Sequence, residues 1–439
     1  MTERRVVITG FGAVTPMGIT TDDLWKGLSK GISAIDTIKA FDPVDFTCKI
    51  AGEIPPFEIK DFIPKSFRKS TKLMSRDIEI AIIAAKQAVE SSGLITKGID
   101  PEHVDIDPAR FAINIGAGLI SCDLVELAPA VAQSLTDAEF DIKKWGKDGI
   151  NLVTPLWLLK YLPNMIPCHI GLIHDIQGPS NTITCAEAGA HLAISEAAQI
   201  IARNDADIAL AGGVEAKVNP IVMIRQCLIK RATDQNNDNP KAACRPFDAD
   251  AKGSVFGEAG ALLVLEELNH AKNRNAKIYA EIVGTGSSNN INPTYEHLEK
   301  DAKGTRIAIQ QALKEANISA DQLDLVIPHG TGIPQDDKAE AAAIENILGS
   351  AVAKVPVWPT KSMVSNTGAA AGAVDLVAAI CAMENKTIPS AINCENKASW
   401  CNLKIPASAK QNADIKYILS CSYTYGGQTA AVVLKKFDS

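Results

Sequence analysis

Between Gly178 and His191 the chain reads GPSNTITCAEAGAH, a run suited to holding one side chain at a corner. A Gly-Pro-Ser turn leads into a β-type stretch, Asn181 to Thr184. Small residues then open a long apolar helix from Ala188 to about Ile201. Strand, tight corner and helix present a side chain at a helix N-terminus, where free backbone N–H groups favour negative charge. A cysteine there would be an activated nucleophile, its thiolate stabilised by those dipoles. The residue at this corner is Glu187. Cys185, two residues upstream, shares Glu187's side of the strand but misses the helix terminus, and its expected role is structural. The question the stretch poses is whether this is a nucleophile site with its nucleophile missing.

The elements that must position this corner form a repeat. In the first half, Val6 to Gly12, Phe111 to Gly118, Asn181 to Thr184, Asp205 to Glu215 and Gly260 to Leu268 have strand patterns. Asp22 to Leu28 and Ser75 to Ser91 have helical spacing. Asp42 to Pro64, Leu124 to Pro167 and Asp234 to Asp250 are irregular. The second half repeats the order: Lys277 to Gly286, Leu323 to Gly330, Val355 to Lys361, Tyr417 to Gly427 and Thr429 to Phe437 as strands, with Lys303 to Ala316 as a helix. Its Ser365-Asn366 leads into a Gly/Ala-rich helix, Gly368 to Glu384, echoing the Glu187 corner. Five strands against five imply a duplicated α/β chain, each half a mixed sheet covered by helices. The alternative is two unrelated α/β domains. The small-residue helices permit close approach, so they are expected to stack in the middle and bring the two corners together.

Composition narrows the function classes. With 46% hydrophobic and 22% charged residues, the 439-residue chain has the make-up of a soluble globular protein with a sizeable core. A formal charge of −7 gives no reason to expect nucleic acid or an anionic membrane as partner. No apolar run reaches the roughly 18 residues of a membrane span, and Met1 to Arg5 carries no export signal, so a cytoplasmic location is expected. The ten cysteines include no CxxC pair and no Cys/His grouping at metal-ligand spacing, so neither metal nor cofactor is implied.

Several long blocks carry a family resemblance: RRVVITGFGAVTPMG, NDNPKAACRPFD, GALLVLEELNHAKNRNAKIYAEIVG, PHGTGIPQDDKAEA and TKSMVSNTGAAAGAV. The chain resembles, nearly end to end, the β-ketoacyl-(acyl carrier protein) synthases of the thiolase fold. That resemblance implies two duplicated halves, 1–268 and 269–439, in a five-layered α-β-α-β-α arrangement. Family chemistry uses a Cys acyl acceptor, two His that help decarboxylate malonyl-carrier protein and hold the thioester oxygen, and a supporting Lys and Glu. The first His matches His329, the Lys matches Lys361 and the Glu matches Glu340, whereas the second His falls on Asn366. The Cys falls on Glu187 when the pattern is laid without gaps from GPS to Asp205; sliding it by one residue puts Ala186 there instead. Either way, the nucleophile is not Cys.

The resemblance assigns further positions. Tyr423 to Gly427, with Tyr425 inside it, matches a loop that normally carries a gating Phe, and Tyr423 would be either a gate hydroxyl or a packed aromatic. Trp157 to Met165 matches a dimer-interface stretch near the neighbour's acyl tunnel, though core packing accounts equally for its residues. Lys65, Arg68 and Lys69, with Lys72 and Arg76, match a region that helps bind the acidic carrier protein; a solvated basic face is the plainer reading. His191 is expected to be a satisfied core histidine.

A carboxylate is a poor acyl acceptor, because its product is a labile anhydride; when ionised it would repel an incoming malonyl carboxylate, and burial opposes the helix terminus over whether it is ionised. Asn366 can donate a hydrogen bond but cannot transfer a proton as imidazole does. Within the family, this pattern resembles the chain-length-factor subunits of two-subunit polyketide synthases, which lack the Cys and pair with an intact Cys-His-His ketosynthase; aryl polyene synthesis is the nearest analogy. The implied function is a non-condensing subunit that heterodimerises with that ketosynthase and shapes its acyl tunnel, with acyl carrier protein as a further partner. The alternatives are a malonyl-carrier decarboxylase that primes synthesis and, more remotely, a regulatory acyl-binding protein.

Overall fold

A computed structural model describes residues 4–294 and 297–437. Nine strands form the main sheet: β1 (Val6–Val14), β2 (Phe111–Ala117), β3 (Ser180–Ile183), β4 (Ile208–Ala216), β5 (Glu258–Glu267), β6 (Ala280–Asn289), β7 (Leu325–Ile327), β8 (Tyr417–Tyr423) and β9 (Gln428–Lys436). Their order is β7-β8-β9-β6-β1-β5-β4-β2-β3. Running outward from the centre, β1-β5-β4-β2-β3 and β6-β9-β8-β7 visit their strands in matching chain order, the geometric trace of the repeat. Within the main sheet, the two halves join where Val6 to Ile8 pair antiparallel with Ala280 to Ile282.

Alternation along the strands decides which helices cover which face. On β4, Ile208 and Leu210 join an outer cluster with the helix α1 (Arg76–Ser92), while Ala209 and Ala211 join the central one. The central cluster holds α2 (Gly189–Ala202) and α3 (Ala371–Glu384), sandwiched between the inner faces of both halves. Beyond the second half, Leu419, Ala431 and Val433 pack outward with residues of Lys303–Glu315 and Pro334–Leu348, two more helices. Five layers result, the thiolase-like arrangement. α1 starts where the Ser75 side chain accepts the Ile78 N–H, and it stops at Gly93, whose φ of 72° an L side chain would resist.

One predicted strand is not a member of the sheet. Val355 to Lys361 makes only isolated bridges, Val357 to Val326 and Pro356 to Lys404, and Lys361 already begins a helical turn. Pro356 and Pro359 have no N–H to give to a ladder. The segment still lies beside β7, its Trp358 N–H donating to Val326 O at 2.9 Å, so the position is kept and the strand is lost. The irregular stretch after Leu124 also contains a short helix, Leu124–Gln133.

The inner packing depends on absent side chains. A Cβ on Gly116 of β2 would lie 2.3 Å from the Gly189 carbonyl carbon and 2.4 Å from the Ala190 N, both backbone atoms at the start of α2. Gly116→Ala should cost about 1–3 kcal/mol or more, read as a lowered urea midpoint. Gly146→Ala is the control: its Cβ meets nothing within 4 Å, and it should leave the midpoint unchanged or raise it slightly.

Candidate functional site

The chain leaves β3 at Ile183 and turns at Ala186, whose φ of 40° is left-handed. Glu187 then sits in a single 3-10 turn, Ala186–Ala188, at the corner just ahead of α2, which opens at Gly189 rather than Ala188. Its side chain is buried, the residue 3% exposed. One carboxylate oxygen, Oε1, is 3.9 Å from Lys217 Nζ, and Oε2 has no hydrogen-bond partner among the described residues. Among the described residues, no backbone N–H donates to this carboxylate. A helix terminus favours an anion by about 0.3–1 kcal/mol, up to about 2. An ammonium at this separation attracts it by an amount of order 4 kcal/mol before desolvation. Lys217, not the helix, is the main counterweight to Glu187.

Lys217 is itself held by Glu215, Nζ to Oε1 at 2.8 Å. Burial pulls the Lys217 pKa down, but Glu215 and Glu187 outweigh it and the net direction is up. The other Glu215 oxygen accepts the Ala369 N–H at 2.7 Å, in the turn ahead of α3. Gly368 leaves room for this: a Cβ there would fall 2.0 Å from Glu215 Oε2 and 2.3 Å from Lys217 Cε. The two corners of the repeat do meet, and the Glu215–Lys217 pair lies between them. Neither residue was among the candidates read from the sequence. The available signal was AGGVEAK, two charged residues two apart where an apolar strand ends, and therefore on one side of it.

Asn366 enters the same region by a bridge to Phe256; its Oδ1 accepts the Gly368 N–H at 3.1 Å, and its Nδ2 is buried without a partner among the described residues. His329 is buried, with Nδ1 likewise unpartnered there and its ring edge-on to Tyr423, centroids 4.6 Å apart. Burial, reinforced by Lys361, Arg231, His191 and Lys217, holds its pKa well below the ordinary value, so the imidazole is neutral. Glu340, on the helix Pro334–Leu348, accepts the His329 N–H at 2.7 Å and the Gly330 N–H at 2.8 Å. Burial lifts its pKa to about 8 in spite of those bonds. Lys361 donates to Asp375 at 2.7 Å, and Thr360 holds the other oxygen of that carboxylate. Asp375 is a third residue that the motifs did not flag.

Tyr423 is buried at the end of β8, whereas Tyr425 is 40% exposed with the Arg231 guanidinium 5.4 Å from its ring centre. Trp157 is not brought to this cluster. It packs against Tyr161, centroids 6.0 Å apart, in the outer layer with α1. Lys65, Arg68 and Lys69 are exposed, but Arg76 is tied to Glu258 at 2.8 Å and lies over Phe57, which removes it from the basic patch. Cys185 is half-buried, and burial raises its pKa, the opposite of an activated thiol. A cavity of about 920 Å³ lies elsewhere, lined by Phe57, Met74, Asp77, Asn219 and Glu258 among others; of the positions singled out in the sequence, it is bordered by Arg76 and by Lys160 and Tyr161 of the 157–165 stretch. Among the described residues, no group of three or more His, Cys, Asp or Glu could hold a metal ion.

Comparison with known proteins adds to this geometry. Residues 3–271 match "Beta-ketoacyl synthase, N-terminal domain" and residues 279–395 match "Beta-ketoacyl synthase, C-terminal domain". The chain is 33% identical over 439 residues to a 3-oxoacyl-[acyl-carrier-protein] synthase 2 of Vibrio cholerae, covering 99% of this chain and 100% of the relative. Among solved structures it is similar to the ishigamide ketosynthase/chain length factor (TM-score 0.83, 26% identity, 100% of both chains). It is also similar to a type II PKS ketosynthase bound to the hexaketide, in complex with its acyl-carrier protein (TM-score 0.84, 25% identity, 100% of both chains).

His191, on α2, gives the site a measurable pH dependence. Its Nδ1 is 2.6 Å from Ser422 Oγ, and burial, with Lys361 nearby, pulls its pKa down to about 3. The unfolded chain takes up a proton near pH 6.5 that the folded one refuses, so this group's contribution is present above that pH and lost as pH falls. Urea titrations at pH 7 and pH 5 should show the parent losing about 2 kcal/mol more than His191→Gln, which keeps a polar partner for Ser422 but cannot titrate. Equal losses would contradict the neutral assignment.

Proposed function

The chain belongs to the β-ketoacyl synthase family, and since a buried carboxylate stands where that family carries its acyl-accepting thiol, we propose that it is a non-condensing subunit. In this reading it pairs with an intact Cys-His-His ketosynthase and shapes that partner's acyl tunnel, as a chain length factor does, in polyketide, aryl polyene or fatty-acid-type synthesis. The observation that carries the proposal is Glu187, buried and 3.9 Å from Lys217. A carboxyl group held this way is a poor acyl acceptor, because its acylated product is a labile anhydride. Asn366 compounds the loss, since its amide cannot relay a proton.

The surface supports a partner. Strand β3 ends the sheet, its far edge carries no partner among the described residues, and Ser180 and Asn181 are exposed. An open edge invites pairing with another chain. Large apolar side chains are exposed on segments both before and after β3 in sequence, including Val125 (87%), Ile142 (68%) and Leu228 (74%). The similar structures are named for a ketosynthase/chain length factor and for a ketosynthase with its acyl-carrier protein, which fits both proposed partners. Lys65, Arg68 and Lys69 are free to meet an acidic carrier. The second reading, a malonyl-carrier decarboxylase, is favoured by the neutral His329, which could still hold a thioester oxygen.

Two measurements test the proposal. The purified chain with acyl- and malonyl-carrier protein should yield no 3-ketoacyl product, and Glu187→Cys alone should not restore it, because Asn366 remains. Condensation at ordinary ketosynthase rates by either protein would sink the reading; free acetyl-carrier protein as the sole product would favour the decarboxylase.

Assembly is the other test. Co-expression with a Cys-containing ketosynthase should give a stable 1:1 complex by native mass spectrometry, with an interface of roughly 2,000–5,000 Å². A well-behaved homodimer that ignores the ketosynthase would remove the chain-length-factor assignment.

A further inference from the structure

No motif points to Lys217, yet it is the only cation recorded in an ion pair with Glu187 among the described residues. It is buried, 5% exposed, where the chain leaves β4, with its ammonium 5.7 Å from the Phe256 ring centre. Glu215 and Glu187 face it directly, and Tyr425 and His329 lie within electrostatic reach. Through Glu215 the same ammonium is coupled to the Ala369 N–H at the second corner. The free Oε2 of Glu187 receives no hydrogen bond that would share the task.

We propose that Lys217 is the positioning residue of the Glu187 corner: its ammonium holds the side chain at 187 and ties it to the Glu215 bridge between the halves. The inference rests on the reading of Glu187 as the replaced acyl acceptor. A buried anion is tolerated only when paired, and here the pairing comes from a strand end rather than from the helix that follows the corner. It follows that any ionisable group at 187 is biased towards its charged form by Lys217.

A thiol introduced at that position reports the bias directly. In Glu187→Cys, thiolate absorbance at 240 nm, read as the difference from Glu187→Ser to cancel the ten native cysteines, should titrate below the ordinary value of about 8.5. Adding Lys217→Gln, which can still donate to Glu215 but carries no charge, should raise the midpoint by about one pH unit or more. Adding Lys217→Arg should keep it low. The same midpoint with Lys, Arg and Gln would overturn the proposal. Should the Gln variant fold poorly, urea unfolding of the Glu187→Gln and Lys217→Gln single and double mutants decides the matter. Lys217→Gln should shift the folding equilibrium at least about fivefold less once Glu187 is neutralised, and additive effects would overturn the proposal. Neither arm measures condensation or subunit association, so the proposed function stands or fails separately.

Discussion

The structure depends on how closely two helices can lie between two sheets. α2 and α3 are packed on both sides by strands whose inward residues on the first half are largely alanine, such as Ala209, Ala211, Ala259 and Ala261. Gly116 removes the last obstacle, letting the start of α2 lie against β2 with no room for a methyl group. The outward faces of the same strands carry Ile and Leu, which fill the wider gap to α1. Small inside and large outside is therefore a packing requirement of five layers, because only the central one is pressed from two directions.

That compression brings two polar corners into a place with little water. Each charged group there has a specific counterpart: Lys361 has Asp375, Glu215 has Lys217, and the Glu340 carboxyl collects two backbone N–H groups. Burial favours neutrality, which keeps His329 unprotonated, with nearby cations reinforcing it, and lifts Glu340. Glu187 is the exception in degree. It has one cation at 3.9 Å and an oxygen with no hydrogen bond, a looser arrangement than any of its neighbours.

On the proposed reading, this member keeps the corner of an acyl-transferring family without its nucleophile. The fold, the left-handed turn at Ala186 and the small-residue helix persist, because they belong to the packing of the central layer. The chemistry of one side chain can be exchanged without disturbing that layer. The carboxyl at this corner is buried, and a lysine from the end of β4 lies 3.9 Å from it.

Much was legible in the sequence because it is local. The corner at Glu187, the alternation of the strands, the cap and stop of α1, and the order of the two halves are set by residues within a turn or two of each other. The block motifs located His329, Lys361, Glu340 and Asn366, and the structure gathers His329 and Lys361 within electrostatic reach of each other. Prolines 356 and 359 overrode the expected strand at Val355, a conflict visible in the sequence once N–H donors are counted. What the sequence left undetermined was pairing across distance. Lys217 lies 30 residues from Glu187 along the chain, and Glu215 lies 154 residues from the Ala369 N–H it caps. Sequence spacing assigned the compensation of Glu187 to the helix that follows it. Only the tertiary structure decided that it comes from Lys217, because a 3-10 turn holds Glu187 ahead of the helix and the meeting of the two halves places the end of β4 beside it.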